Sequence, residues 1–128
     1  MQDMQNLIKE FMAQKKFAVV GATDNMEKYG NQVLRNLRDR GYEVYPVNPR
    51  LKEVEGMKCY ASVTDLPVKV DVVDFVVPPA ATETILRECL ELGLDRIWLQ
   101  PGSESEDAIG FCQDNNLKVV HDVCVMLN

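Results

Sequence analysis

Valine-dense apolar runs alternate with helix-period segments along this chain, and that alternation leaves few folds open to it. FAVVG (17–21), YEVYPVN (42–48), VDVVDFVVP (70–78), RIWLQ (96–100) and LKVVHDV (117–123) are short and nearly continuous in apolar character, as parallel strands covered on both faces are. Between them, NQVLRNLRDRG (31–41) puts Val33, Leu34 and Leu37 on one helical face, and ATETILRECLELG (81–93) does the same with Ile85, Leu86, Cys89 and Leu90. Both segments end at a glycine, Gly41 and Gly93, a common helix stop. A third helix is expected from SESEDAIGFCQDN (103–115), where Ser103 and Glu106 have capping-box spacing. The connection from Pro49 to Leu66 has no strong pattern beyond a possible short strand at KCYAS (58–62).

Right-handed crossovers wind such a string into an open sheet. The fold class expected is α/β: a single-domain, Rossmann-like, doubly wound fold with a mainly parallel sheet of about five strands and helices on both faces. At 128 residues the whole chain, 1–128, is expected to form that one domain. Residues 1–15 read as an N-terminal helix whose stripe of Met4, Leu7, Ile8 and Phe11 packs on the sheet.

Charge narrows the partners. With 14 basic against 20 acidic residues and a net charge of −6, the chain is not expected to bind nucleic acid or an anionic membrane, since both favour a basic face. No apolar run approaches the roughly 20 residues that span a bilayer, and the N-terminus has no basic start with an apolar centre, so a cytoplasmic location is expected. The four cysteines, Cys59, Cys89, Cys112 and Cys124, include no C-x-x-C pair and read as free thiols, and no metal site is expected.

Doubly wound sheets bind ligands beyond the carboxyl ends of their strands, where the strand order reverses. The first strand delivers Gly21, Ala22 and Thr23 to that edge, and the helix opening near Gly30 turns its free amides and positive dipole end the same way. Lys28 adds a cation, which makes the loop an anion site; the plainer alternative is that Gly21 and Gly30 only form turns. GATDNMEKYG (21–30) is not the dinucleotide fingerprint G-x-G-x-x-G, because Thr23 stands at the second glycine and the loop is longer.

The second strand ends VYPVNPR (44–50), without the acidic residue that binds a free ribose diol. Val47, Asn48, Pro49 and Arg50, with Lys52 beyond, suit a nucleotide whose ribose carries phosphate, although Arg50 and Lys52 are equally explained as a solvated basic loop. In FVVPPAAT (75–82), Val77, Pro78, Pro79 and Ala80 would form an apolar floor for an adenine or acyl-type arm, or simply a strand-to-helix turn. Trp98 is placed in the core and Gln100 at the rim. His121, beside Asp122, reads as a structural residue before it reads as a base, and Cys124 is ambiguous between a buried thiol and a ligand-edge one.

Together, VVGATDNMEKYGNQVLRNLRDRGYEVYPVNPR, VDVVDFVVPP, IWLQPG and LKVVHDVC resemble the small bacterial and archaeal CoA-binding domain proteins, whose fold is shared with the CoA-binding domain of the succinyl-CoA synthetase alpha subunit. The resemblance runs from about Phe17 to Cys124, and P-V-N-P and W-L-Q-x-G are its more specific elements. It implies coenzyme A as ligand, with Gly21, Ala22, Thr23, Lys28 and Gly30 facing phosphate. It implies further that Val47, Asn48, Pro49 and Arg50 line the nucleotide side, that Val77, Pro78 and Pro79 meet adenine or pantetheine, and that Gln100 stands at the far rim. One departure is HDVC, with Val123 where the family commonly has arginine.

Function then divides into four readings. The favoured one is a CoA-binding module without catalysis of its own, a carrier, sensor or partner subunit, with no catalytic residue assigned and a protein partner left unidentified. The others are a subunit of an acyl-CoA-handling enzyme, in which His121 would have to carry phosphate, a module for NADP or another adenine nucleotide, and mixed-disulfide chemistry at Cys124.

Overall fold

The computed structural model describes residues 3–128. Helix α1 (Met4–Met12) comes first, capped by the Asp3 carboxylate on Asn6 N. Strand β1 (Lys16–Val20), helix α2 (Tyr29–Asp39) and strand β2 (Glu43–Val47) follow. A small antiparallel hairpin, β3 (Glu53–Val54) and β4 (Met57–Lys58), precedes β5 (Val72–Phe75), α3 (Pro79–Leu92), β6 (Arg96–Leu99), α4 (Glu106–Asp114) and β7 (Lys118–His121). Met1 and Gln2 of the expected N-terminal helix, and of the expected 1–128 domain, lie outside the described residues.

The five-stranded sheet has the order β2-β1-β5-β6-β7, and every pair in it is parallel. This is the α/β, Rossmann-like architecture anticipated above. The order reverses between β1 and β5, so the crevice of a doubly wound sheet falls beyond Val20 and Phe75, which are register partners.

Alternation along each strand divides the core. Ala18, Val20, Val73, Phe75, Ile97 and Leu99 pack with Leu86 and Cys89 of α3 and Ala108 and Cys112 of α4. Phe17, Val19, Val72, Trp98 and Val120 face the other way, against Phe11 of α1 and Val33, Leu34 and Leu37 of α2. Helices therefore cover both faces. Each such large apolar side chain, buried in full, contributes about 1.5–3 kcal/mol. Trp98 is among them with its polar atom satisfied, the indole N–H donating to Val123 O at 2.9 Å. Helix α1 is held on its own sheet by Phe11 and by Glu10, which pairs with Arg96 at 2.8 Å and Lys118 at 2.9 Å.

Two local expectations need correction. The cap of α4 is Ser105, whose hydroxyl accepts from Ala108 N at 3.0 Å. Ser103 is buried instead, donating to Phe75 O at 2.9 Å and accepting from Val77 N at 3.1 Å. At 58–62 only Lys58 lies in a strand; Tyr60 makes a single parallel bridge to Val47. Among the described residues no helix is long and apolar enough to cross a membrane.

Candidate functional site

The site begins with two glycines that the backbone demands. Gly21 has φ +98°, and a β-carbon there would stand 2.2 Å from Val76 O, so β1 and the end of β5 meet too closely for any side chain. A β-carbon on Gly30 would lie 2.1 Å from Gly21 O. The first turn of α2 thus rests directly on the end of β1.

The intervening loop is tied from behind. Ala22 O accepts from Asn48 Nδ2 at 2.9 Å and Thr23 O accepts from Asn31 Nδ2 at 2.8 Å, so both carbonyls are engaged by side chains. Lys28 takes the N-cap position of α2, where its side chain makes no capping bond. Asn31 N donates to Lys28 O at 3.2 Å, which leaves the Tyr29 and Gly30 amides of that first turn for another acceptor, with the positive end of the helix dipole behind them.

This loop forms one wall of a cavity of about 870 Å³ opening beyond the strand ends between β1 and β5. Gly21, Thr23, Lys28 and Gly30 line it from the first loop, Val47, Asn48, Pro49 and Arg50 from the end of β2, and Val77 and Pro78 from the end of β5. The expected residues from three separate strand ends therefore converge. Asn48 acts chiefly as a tie: besides holding Ala22 O, its Oδ1 accepts from Arg50 N at 2.9 Å. Lys28 and Arg50 are exposed at the cavity while Glu88, on α3, supplies its only lining carboxylate among the described residues. One end is thus cationic, and the floor is apolar.

Five expected residues stand elsewhere. Ala22 is buried behind the loop, Pro79 and Ala80 are the first two residues of α3, and Lys52 lies past the β2 corner, none of them lining the cavity. Gln100 is not at the rim: it is fully buried, donating from Nε2 to Asp74 Oδ1 at 2.6 Å. Its Oε1 accepts from the Tyr29 hydroxyl at 2.9 Å and from Val125 N at 3.2 Å. Tyr29 does line the cavity, so Gln100 steadies the wall from behind.

Sequence reasoning passed over Tyr29, Ala61, Ser62 and Ile85, which also line the cavity. Ile85 and Glu88 follow Ala81 at helical spacing, a signal available once α3 is set to begin at Pro79. Ala61 and Ser62 lie in the connection from Pro49 to Leu66, where the possible short strand at 58–62 carried no sign of a cavity.

Behind the site, Asp74 is fully buried and its Oδ2 has no hydrogen-bond partner. Burial raises its pKa well above the ordinary carboxylate value, with the Gln100 bond opposing. The Tyr29 hydroxyl is shifted upward by burial, then by its bond to Cys124, whose Sγ lies 2.8 Å away. Burial also pushes the Cys89 and Cys112 thiols up to about 12, which leaves them unreactive. His121 bonds Asp122 through Nδ1 at 2.5 Å and is not part of the cavity wall. No metal-ligating cluster exists among the described residues.

A family model described as CoA binding domain matches residues 15–128. The chain is 29% identical over 119 residues to the protein YneT of Bacillus subtilis (strain 168), covering 92% of this chain and 88% of that protein. It is 39% identical over 89 residues to the alpha subunit of an ADP-forming acetate–CoA ligase II from Pyrococcus furiosus, but spans about a fifth (20%) of that subunit's length and 69% of its own. Among solved structures, a conserved hypothetical protein from Pyrococcus furiosus superposes with a TM-score of 0.85 at 44% identity, over 88% of this chain and 97% of that one.

Proposed function

Because the chain belongs to the CoA binding domain family, we propose that it binds coenzyme A as a module without catalysis of its own, acting as a carrier, sensor or partner subunit. The observation that carries this reading is the uncapped start of α2, set against Gly21 with Lys28 beside it, opening into the cavity. A diphosphate needs N–H donors, a positive pole and a nearby cation, and those residues supply all three.

In this reading the phosphates lie against Gly21, Thr23, Gly30 and Lys28, and Arg50 meets the phosphate on the ribose. Val77, Pro78 and Ile85 offer apolar surface to the adenine or the pantetheine arm. The cavity volume, about 870 Å³, falls in the range of roughly 300–1,000 Å³ usual for cofactor sites.

A second reading, NADP, is favoured by one feature: β2 runs into Asn48, Pro49 and Arg50 with no acid to take a free ribose diol. Calorimetric titration of the reduced protein with CoA, dephospho-CoA, NADP and NAD separates the two. Binding of CoA that weakens without the ribose phosphate supports the CoA module. Binding of NADP with silence toward CoA replaces it.

The likeness to a ligase subunit raises a third reading, a component of an acyl-CoA-handling enzyme with a protein partner. His121 is the chain's single histidine and stands outside the cavity wall. Phosphohistidine detected there in the presence of a nucleotide and a partner subunit would favour that role over the stand-alone one.

A further inference from the structure

The loop that would hold a polyanion carries two acids of its own, Asp24 and Glu27. Neither lines the cavity. For Asp24 the reason is visible: its Oδ1 accepts the backbone N–H of Glu55 at 2.7 Å, at the tip of the β3–β4 hairpin.

That tip is an unusual choice of residue. Glu55 and Gly56 both have positive φ, +51° and +75°, as a two-residue hairpin turn of the mirror-image type requires. Asparagine, aspartate or glycine takes the first position with less strain than glutamate. What glutamate adds is reach. Its Oε2 accepts from Asn31 Nδ2 at 3.0 Å, the same nitrogen that donates to Thr23 O, and Arg38 Nη1 lies 3.4 Å from Oε1. Asn31 is fully buried and its Oδ1 accepts from Arg35 Nε at 2.7 Å, so both ends of its amide are engaged.

The hairpin therefore grips both sides of one peptide link, Asp24 through the Glu55 amide and Thr23 through the Glu55 carboxylate and Asn31. Val54, buried in the core, anchors the hairpin itself. We propose that the β3–β4 hairpin is a latch for the ligand loop, in which Glu55 draws the Asp24 carboxylate away from the anion site and holds the loop in its binding shape. Glu55, Asn31 and Asp24 are positioning residues here. By linkage, an anionic ligand that needs the held loop tightens the latch in return.

This inference rests on the CoA reading, and its test separates the two. Wild-type, Asp24→Ala and Asp24→Asn proteins are titrated with CoA by calorimetry. If only charge mattered, both substitutions would strengthen binding, since each removes a negative group beside a polyanion. The latch predicts otherwise: Asp24→Ala weakens binding roughly three- to tenfold, the range expected for one lost hydrogen bond. Asp24→Asn keeps an oxygen acceptor for the Glu55 amide and binds as wild type does or more tightly.

Amide exchange of Glu55, followed by NMR, supplies a readout that a merely structural contact would not move. CoA slows that exchange in the wild type and leaves it unchanged in Asp24→Ala. Wild-type silence toward CoA overturns the binding reading and the latch together. Wild-type binding with undiminished affinity in Asp24→Ala, or with Glu55 exchange indifferent to CoA, overturns the latch alone.

Discussion

The carbonyl oxygen of Gly21 occupies the space where a β-carbon of residue 30 would sit, 2.1 Å from its ideal position. The end of strand β1 and helix α2 touch backbone to backbone at this point, and the contact sets how close the α2 amides come to the cavity beyond β1.

Replacement of Gly30 by alanine tests that contact through the sign of its effect. In an ordinary helix position alanine is favoured over glycine by about 1 kcal/mol. Here the added carbon meets a backbone oxygen that cannot rotate away, and overpacking of this kind costs about 1–3 kcal/mol. Gly30→Ala is expected to lower the urea midpoint and to weaken CoA binding as α2 is pushed off β1. A variant more stable than wild type would show that the helix has room to spare.

Lys28→Ala separates ligand binding from folding. The Lys28 side chain caps nothing and is exposed, so its removal is expected to change stability by no more than about 0.5 kcal/mol. If it meets phosphate, CoA affinity falls roughly tenfold, the equivalent of about 1.4 kcal/mol, and the residual binding depends less on salt. Unchanged affinity by calorimetry removes Lys28 from the site.

The sheet was legible because parallel strands, covered on both faces, carry their signal within themselves: the short apolar runs stand alone as β1, β2, β5, β6 and β7. The loop between β1 and α2 was legible for the same reason, as a strand, a glycine and a helix in sequence. What escaped depends on distant partners. Ser103 has the spacing of a cap, but the Phe75 carbonyl and Val77 amide of a neighbouring segment draw its hydroxyl inward, and Ser105 takes the cap. Gln100 ends a strand and so reads as a rim residue, yet Asp74 and Tyr29 hold it inside. Neither outcome follows from local pattern.

Arg50→Ala should act on one phosphate only. The Arg50 backbone N–H bonds Asn48 Oδ1 and survives the substitution, so the β2 corner keeps its shape. With the guanidinium gone, CoA is expected to bind roughly three- to tenfold more weakly, a charge-assisted bond tempered by exposure. Dephospho-CoA should bind wild type and variant alike. Equal losses for the two ligands would assign Arg50 to the diphosphate instead.

Asp74 is expected to make folding stability depend on pH. Burial raises its folded-state pKa well above that of the unfolded chain, which lies near 4 for an aspartate. Between those two values the folded protein binds the extra proton, so stability is greatest below the unfolded pKa and falls as pH climbs through the folded one. Asp74→Asn keeps an oxygen for the Gln100 amide and cannot ionise, so it removes that slope. Urea midpoints measured from about pH 5 to pH 8 should show the wild type losing ground to the variant as pH rises. Parallel curves would mean that Asp74 ionises equally in both states, and that water or a neighbouring donor reaches the Oδ2 left without a partner here.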